Sequence, residues 1–262
     1  MNPLKYWTTS EFESSLTERK NKTYKSAATD NTKTRNYTYN ELGFRGDSIK
    51  KEGFKVMSLG CSNTEGIGVN YTNTWPYEFT SLIPNGVNCN FGAAARSNDF
   101  ISRCLLTYYD LIKPDLVLIM YTSPQRREIY TKDGGVEPFM PTSAWGYMEE
   151  TDSGKIIQNN LSQIQNDNED FINWYKNHQL IKYFLESKGC DWLWNGWFEI
   201  PKDYNEFNRF DGDYGNYLDF GIDGTHPGPV HNKTYAHKLY DFITENFPNY
   251  INNLSKNKQS LI

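Results

Sequence analysis

Short, mostly apolar runs alternate along the chain with longer segments in which apolar residues recur at helical spacing. The run at 116–120 is apolar throughout, which is typical of a parallel strand covered on both faces. Strands separated by helices in this way predict an α/β sandwich with right-handed crossovers. The predicted strands are 55–59, 86–91, 116–120 and 190–194, and the predicted helices are 75–83, 98–112, 170–188 and 234–247.

Three parts of the chain break this alternation. Residues 1–36 are rich in Ser, Thr, Asn and Lys, and they predict an N-terminal arm that is a candidate for self-association or for contact in a particle. Residues 124–168 are too long for a plain connection, so they predict a loop-rich insertion or lid. Residues 37–248 are then a single domain that carries this insertion, and residues 249–262 are a polar tail.

Charge and hydropathy exclude several classes of partner. The net charge of −5 over 262 residues gives no reason to expect a nucleic-acid partner. No segment reaches the roughly 18–20 apolar residues that cross a bilayer, and the first residues lack the apolar stretch of a signal peptide. We therefore expect no membrane or nucleic-acid partner and a cytoplasmic location, with a virus particle assembled in the cytosol as the alternative.

Cysteine and histidine patterns give no indication of a metal site. The four cysteines form no C-x-x-C pair and no zinc spacing, so they predict free thiols, and the four histidines are scattered. His231 and His237 do not share a helix face and are expected at the surface. We expect neither a metal nor a cofactor. The cysteines are Cys61, Cys89, Cys104 and Cys190.

Ser62 follows a short apolar run that begins at Phe54 and stops at Gly60. A serine on a glycine-enabled turn at the carboxyl end of a buried strand is where an α/β enzyme places a nucleophile. The alternative is an ordinary strand-to-helix turn capped by Ser62, since serine is a favoured N-cap. The pattern with glycines two residues either side of the serine is met by Gly60 but not by Thr64.

Asp223 and His226 lie three residues apart in a Gly- and Pro-rich loop near the other end of the chain. A carboxylate at this spacing can hold one ring nitrogen of the imidazole while the other nitrogen faces a serine. The order Ser62, Asp223, His226 is also the order found in several α/β hydrolases. The alternative for His226 is a loop histidine bonded to the backbone.

Residues 60–69 (GCSNTEGIGV) resemble the first block of the SGNH/GDSL hydrolase family, and residues 223–227 (DGTHP) resemble its last block. Residues 90–92 (NFG) are similar to the second block, and residues 40–46 (NELGFRG) to a lead-in found in one branch of the family. The resemblance implies a three-layer sandwich with a mostly parallel, flavodoxin-like sheet. It also implies a catalytic triad of Ser62, Asp223 and His226.

The same resemblance implies an oxyanion hole built from Ser62, Gly92 and a third donor. The family's third block supplies an asparagine side chain, but here the run after the third strand reads Tyr-Thr-Ser-Pro. Ser123, or Thr122 if the register slips, stands at that position, and Asn98 is another candidate donor with an N-cap role as its alternative. Cys61 replaces the aspartate that usually precedes the serine, which weakens the match and leaves the nucleophile in place.

Candidate substrate-binding residues lie in or beside the insertion. Trp145 and Tyr147 are aromatic residues in a polar segment and could stack on sugar rings. Arg127 follows the third strand, near the expected rim of the site. Its alternative role, an ion pair that holds the insertion, is the favoured one.

These patterns predict a serine-dependent esterase or deacetylase that forms an acyl-serine intermediate. By resemblance, the substrate is a small ester, including acetyl esters on carbohydrates. Two alternatives stay open: a non-catalytic binding or structural protein on the same fold, including a virion component, and a carbohydrate O-acyltransferase. An ester-turnover assay with a Ser62→Ala control distinguishes the esterase from the non-catalytic protein. Adding sugar acceptors to the assay distinguishes the esterase from the acyltransferase.

Overall fold

A computed structural model describes residues 18–27, 34–130, 136–139, 166–196, 208–212 and 214–252. The described strands are β1 (Thr23–Ala27), β2 (Thr34–Thr38), β3 (Phe54–Gly60), β4 (Gly86–Gly92), β5 (Leu116–Tyr121), β6 (Arg127–Tyr130), β7 (Val136–Phe139) and β8 (Asp191–Gly196). The α-helices are α1 (Ser62–Glu65), α2 (Trp75–Ser81), α3 (Asn98–Ile112), α4 (Asp167–Lys188), α5 (Pro229–Asn246) and α6 (Pro248–Asn252).

The central sheet has four parallel strands in the order β4-β3-β5-β8. Numbered along the chain within this sheet, the order is 2-1-3-4, which is the flavodoxin-like arrangement. The α/β class and the parallel sheet predicted from the sequence are therefore confirmed. In this order β3 is an inner strand, so the residues that follow it lie between the ends of β4 and β5.

Side chains of the sheet alternate between two apolar layers. On β5, Leu118 and Met120 join the layer under α2 and α5, while Val117 and Ile119 join the layer under α3 and α4. Because both faces are buried, the strand can be apolar at every position, as its sequence is. The result is a helix–sheet–helix sandwich with one apolar core on each side of the sheet.

Helix ends follow local capping chemistry. The side chain of Ser97 accepts a hydrogen bond from the backbone N–H of Phe100 and caps α3, so Asn98 is the first helical residue and not the cap. α4 ends at Gly189, whose left-handed backbone (φ +61°) matches the C-cap role expected of glycine. α5 begins at Pro229, five residues before the predicted start at 234, because proline is tolerated in the first turn of a helix.

The early start of α5 places His231 inside the fold. The His231 side chain is buried and contacts the rings of Tyr214 and Tyr217. The expectation of a surface histidine was therefore wrong at His231, whereas His237 is exposed. The predicted helix omits residues 229–233, and with them the two buried positions His231 and Asn232.

The described peripheral segments refine the predicted domain limits. β1 and β2 form an antiparallel pair, so the arm boundary predicted at residue 36 falls inside β2. The described part of the insertion includes the antiparallel pair β6–β7. Residues 248–252 form α6, and Ile251 packs into the core, although the polar tail was predicted to begin at 249. In the described residues, no helix combines the length and apolarity needed to cross a membrane.

Candidate active site

Ser62 stands at the carboxyl end of β3, as the first residue of the four-residue helix α1. The register pairs Gly60 with Gly92 at the ends of β3 and β4. A Cβ at Gly60 would collide with the Thr64 side chain, so glycine is needed for the chain to turn into α1 at this point. The turn leaves Ser62 partly exposed between two neighbouring strand ends.

Asp223 and His226 form a hydrogen-bonded pair. His226 Nδ1 lies 2.5 Å from Asp223 Oδ2, and the backbone N–H groups of His226 and Thr225 donate to Asp223 Oδ1 at 3.2 and 3.3 Å. Burial by itself would raise the pKa of Asp223. The hydrogen bond and charge of His226, together with the two backbone donors, outweigh burial and hold that pKa well below its ordinary value. The carboxylate is therefore ionised at neutral pH and can orient the imidazole.

Two contacts bring the loop of Asp223 against the segment that follows Ser62. The backbone N–H of Ile222 donates to the carbonyl of Gly68 at 2.9 Å. The Asn63 side chain hydrogen-bonds to Tyr217, a few residues before Asp223. Two residues that follow Ser62, Asn63 and Gly68, thus contact the segment that carries Asp223 and His226, although Ser62 and this segment are far apart in the sequence.

Ser62 and His226 are not hydrogen-bonded to each other within the described residues. Ser62 Oγ instead lies 4.0 Å from Cys61 Sγ, and His226 Nδ1 faces Asp223 and Thr225. Catalytic hydrogen bonds are often long or poorly aligned before substrate is bound. The structure therefore shows Asp223 and His226 bonded to each other, and the triad that would include Ser62 stays a prediction.

Arg45 fixes the segment after Ser62 from inside the protein. Its guanidinium is fully buried and donates to the carbonyls of Glu65, Gly66 and Val69, the last at 2.6 Å. The guanidinium also lies 4.1 Å from the ring centre of Tyr37. This role is not predicted by the NELGFRG segment as a whole, and the available signal for it is an arginine between Gly43 and Gly46.

The predicted oxyanion donor Gly92 is already engaged. Its backbone N–H donates to the Asn90 side-chain oxygen at 2.8 Å, so it does not offer a free donor. The glycine has a packing role instead, because a Cβ there would collide with the backbone nitrogen of Glu65 in α1. The predicted assignment of Gly92 is therefore not supported by the geometry of this residue.

Ala95 is a better candidate donor, and the sequence analysis missed it. Ala95 has a left-handed backbone (φ +60°), which is uncommon for a residue other than glycine. In the part of the chain that the structure describes, its N–H makes no hydrogen bond. The preceding N–H, of Ala94, donates to Glu65 Oε2 at 2.6 Å and ties this loop to α1. No sequence signal marks Ala95, because it is one of three consecutive alanines.

The third predicted donor, Ser123, lies just past β5 and is partly exposed. The neighbouring Thr122 is buried, and Asn98 bonds to both its backbone N–H (3.0 Å) and its carbonyl (2.9 Å). Asn98 is also fully buried, so these bonds indicate that its amide holds the Thr122 backbone and does not face a substrate. They also fix the end of β5, which leaves Ser123 as the first partly exposed side chain beyond that strand.

Arg127 forms ion pairs that hold the insertion, which is the structural role given above as the alternative to substrate binding. Its Nη2 lies 2.7 Å from both Glu169 Oε2 and Asp170 Oδ1, which ties β6 to the first turn of α4. The guanidinium is mostly buried and also donates to the Pro124 carbonyl. The other two candidates, Trp145 and Tyr147, lie outside the described residues.

Metal-ligating side chains are dispersed across the described segments. Where the structure describes the chain, His, Cys, Asp and Glu form no group of three that could hold a metal ion. The four cysteines are free thiols, three of them buried and Cys190 partly exposed.

No family model matches this sequence, and a search of curated proteins gives no match. Solved structures give several. A carbohydrate acetylesterase family member from Sinorhizobium meliloti is 12% identical, covers 74% of this chain and 99% of its own, and has a TM-score of 0.35. A G-D-S-L lipolytic protein from Veillonella parvula is 13% identical over 72% of this chain and 98% of its own, with a TM-score of 0.34.

A third match is a family 3 carbohydrate esterase from Clostridium thermocellum. It is 14% identical, covers 74% of this chain and 96% of its own, and has a TM-score of 0.33. The solved structures that this chain matches include GDSL-type lipolytic proteins and carbohydrate esterases, the protein family that its two terminal sequence blocks resemble.

Proposed function

We propose that this protein is a serine-dependent hydrolase that cleaves an ester through an acyl-serine intermediate. The observation that carries the proposal is the hydrogen-bonded pair of Asp223 and His226. The loop of this pair is joined to Gly68, six residues after Ser62, by a backbone hydrogen bond from Ile222. A histidine that is held by an ionised carboxylate can activate a serine hydroxyl that comes within its reach.

The reaction begins with transfer of the Ser62 hydroxyl proton to His226 Nε2 as Ser62 Oγ attacks the ester carbonyl carbon. Asp223 holds Nδ1–H and stabilises the imidazolium that forms. The negative charge that develops on the carbonyl oxygen is met by backbone N–H donors, for which Ser62 and Ala95 are the candidates, and by the Ser123 hydroxyl. Collapse of the intermediate breaks the C–O bond, and His226 returns the proton to the leaving alcohol.

Water completes the cycle. His226 takes a proton from a water molecule as the water oxygen attacks the carbonyl carbon of the acyl-serine. The same proton goes to Ser62 Oγ when the carboxylic acid product leaves. Because the terminal blocks resemble a family that often acts on small esters, we extend the proposal to acetyl esters on carbohydrates. Fold and triad do not by themselves fix a substrate.

The test is turnover of a short-chain aryl ester such as 4-nitrophenyl acetate. We expect hydrolysis by the wild-type protein and a loss of at least about 10³-fold in kcat for Ser62→Ala and for His226→Ala. Circular dichroism and Tm should match the wild type, because both side chains are partly exposed. Full activity in Ser62→Ala would overturn the mechanism.

A non-catalytic binding or structural role is the second candidate function. It is favoured by the missing hydrogen bond between Ser62 Oγ and His226 within the described residues. On this alternative, the wild-type protein shows no turnover above the Ser62→Ala control with any ester tested. The same experiment therefore distinguishes the two functions.

A further inference from the structure

A cleft opens beside the Asp223–His226 loop, next to the proposed catalytic residues. Its volume is about 460 Å³, which lies within the roughly 300–1,000 Å³ of clefts that hold small organic ligands. The cleft is therefore large enough for one sugar or aromatic ring. It is lined by Arg35, Gly68, Phe220, Gly221, Ile222 and Pro229.

Arg35 supplies a positive charge to this cleft. It lies on β2, opposite Ser26 of β1, and its Nε is buried with no hydrogen-bond acceptor among the described residues. A buried N–H group without an acceptor costs free energy, so this guanidinium gains from a shift toward a new acceptor such as an anion in the cleft. Guanidinium groups bind carboxylates and phosphates through two parallel hydrogen bonds, so an anionic oxygen pair is the fitting ligand group.

The two carboxylates that flank the lining residues 220–222 in sequence are engaged with other partners. Asp223 is bonded to His226 and Thr225, and Asp219 accepts hydrogen bonds from the backbone N–H groups of Val230 and His231. Neither carboxylate forms an ion pair with Arg35 in the described segments. The charge of Arg35 is thus left for a ligand.

The backbone of Gly68 and Gly221 forms the floor of the cleft and Phe220 forms one wall, and these surfaces suit a sugar or aromatic ring. Gly68 and Gly221 are packed so closely that a Cβ on Gly221 would lie 2.8 Å from the Gly68 Cα, and this floor carries no side chain. The ring of Phe220 is 59% exposed beside it. An exposed aromatic face next to a flat backbone floor can stack against the apolar face of a sugar or an aryl group.

We propose that this cleft binds an anionic ring, with Arg35 holding a carboxylate or phosphate group and Phe220 contacting the ring. In the context of the proposed function, on which this inference rests, the substrate class is an ester whose alcohol part is an acidic sugar or a similar anionic ring. The cleft then selects the substrate, while Ser62 and His226 carry out the chemistry.

Calorimetric titration tests this binding without depending on turnover. The probes are glucuronate, glucose 6-phosphate and neutral glucose, added to the wild-type protein, to Arg35→Gln and to Lys25→Gln. Lys25→Gln is the matched control, because it removes one positive charge from the same strand pair outside the cleft. Both variants must keep the wild-type Tm, and Arg35→Lys, which keeps the charge, serves as a second variant.

We expect at least one of the two anions to bind more tightly than glucose, and that anion identifies the group recognised. Arg35→Gln should weaken its binding about tenfold or more, the usual worth of a charge-assisted hydrogen bond. Lys25→Gln should leave binding within about twofold, and Arg35→Lys should fall between the two. Added salt should also weaken the binding.

Equal binding of all three probes, no binding of any, or equal losses in Arg35→Gln and Lys25→Gln would each overturn the proposal. The outcome is separable from that of the proposed function. If the protein binds the anion through Arg35 but hydrolyses no ester, the cleft proposal stands and the proposed hydrolase function fails. If it hydrolyses esters but shows no preference for anions, the hydrolase function stands and the cleft proposal fails.

Discussion

Gly68 is the residue at which the segment after Ser62 meets Asp223. Its backbone is left-handed (φ +84°), and a Cβ at this position would lie 2.7 Å from Asp223 Oδ1. Its N–H donates to the Tyr37 hydroxyl at 2.8 Å, and its carbonyl accepts from Ile222. A side chain at Gly68 would therefore push directly on the carboxylate that holds His226.

We predict that Gly68→Ala lowers kcat by about 100-fold with a smaller change in KM, because a shift of about 1 Å in a catalytic group can cost this much. The matched control is Gly224→Ala, in the same loop. Gly224 also has a left-handed backbone (φ +67°), but a Cβ there would meet nothing within 4 Å. Both variants carry backbone strain, and equal activity losses in the two would show that the contact with Asp223 is unimportant.

A second prediction concerns Asp223 and acid. Because the pKa of Asp223 is lower in the folded protein than in the unfolded chain, its contribution to stability is full above the unfolded value of about 4. That contribution is lost as the pH falls below this value, toward the folded pKa. The difference in unfolding free energy between wild type and Asp223→Asn should be fully present near pH 5 and shrink from about pH 4 downward. Urea unfolding at each pH measures it, and a difference that grows on acidification would contradict the pairing.

Single residues also show where sequence reasoning succeeds and where it stops. Asp223 and His226 could be paired from the sequence, because a spacing of three in one loop keeps the two side chains within reach. Gly92 could not be judged in this way, since its N–H is taken by the Asn90 side chain. Ala95 was hidden because its left-handed backbone is set by the fold around it and not by its residue type.

Between elements, Glu65 joins α1 to the loop that carries Ala95. The Glu65 side chain is 2% exposed and accepts hydrogen bonds from Ala94 N (2.6 Å) and from the Tyr39 hydroxyl (2.9 Å). Arg19, from the N-terminal segment, lies 3.6 Å from the same carboxylate. One carboxylate thus holds the nucleophile helix, the candidate oxyanion loop and the segment before the domain together.

We predict that Glu65→Gln lowers kcat by roughly 10- to 100-fold with little change in KM, because a neutral amide holds the Ala94 loop less firmly than a carboxylate and misplaces a transition-state donor. Tyr39→Phe is the control, since it removes the hydrogen bond to the other carboxylate oxygen and leaves the Ala94 bond in place. Steady-state kinetics decide the matter. A loss in Tyr39→Phe as large as that in Glu65→Gln would point to general disruption instead.

A buried ion pair joins α3 to β6, the first strand of the insertion. Arg103 Nη2 lies 2.7 Å from Glu128 Oε1, and both side chains are almost fully buried. Burial by itself would lower the pKa of Arg103, but the hydrogen bonds and charge of Glu128 outweigh it and hold that pKa above its ordinary value. Removing one partner of such a pair leaves an uncompensated buried charge.

We predict that Glu128→Gln lowers the free energy of unfolding by about 3 kcal/mol, at the low end of the range for breaking a buried pair because the amide can still accept a hydrogen bond. The exposed pair of Lys188 and Asp110, with 2.7 Å between Nζ and Oδ1, provides the control. Asp110→Asn should cost less than about 1 kcal/mol. Urea unfolding measures both, and equal losses in the two variants would contradict the role assigned to burial.

At the same scale, the sequence located the four sheet strands and their helices to within a few residues. Apolar runs and helical stripes are local features, so strands such as β5 could be predicted directly. The pairs β1–β2 and β6–β7 were not foreseen, because their sequences are polar and lack clear alternation. α5 was predicted too short because its first turn carries Pro229, Val230 and His231 without an apolar stripe.

For the whole molecule, the candidate site joins two sequence blocks about 160 residues apart at one edge of the sheet. The parallel register makes this possible, because the carboxyl ends of all four strands point to the same side. In the flavodoxin-like strand order β3 is an inner strand, so Ser62 lies between the carboxyl ends of the neighbouring strands β4 and β5. The lead-in residue Arg45 then supports the site from beneath through three backbone carbonyls.

Covalent labelling by an aryl or alkyl fluorophosphonate tests the central claim most directly, because this reagent traps a serine that a histidine has activated. The account predicts one stoichiometric adduct on Ser62 by peptide mass mapping, with labelling strongly slowed in His226→Ala and absent in Ser62→Ala. An adduct on another residue such as Ser123, or ester hydrolysis by a protein whose Ser62 stays unlabelled, would contradict it.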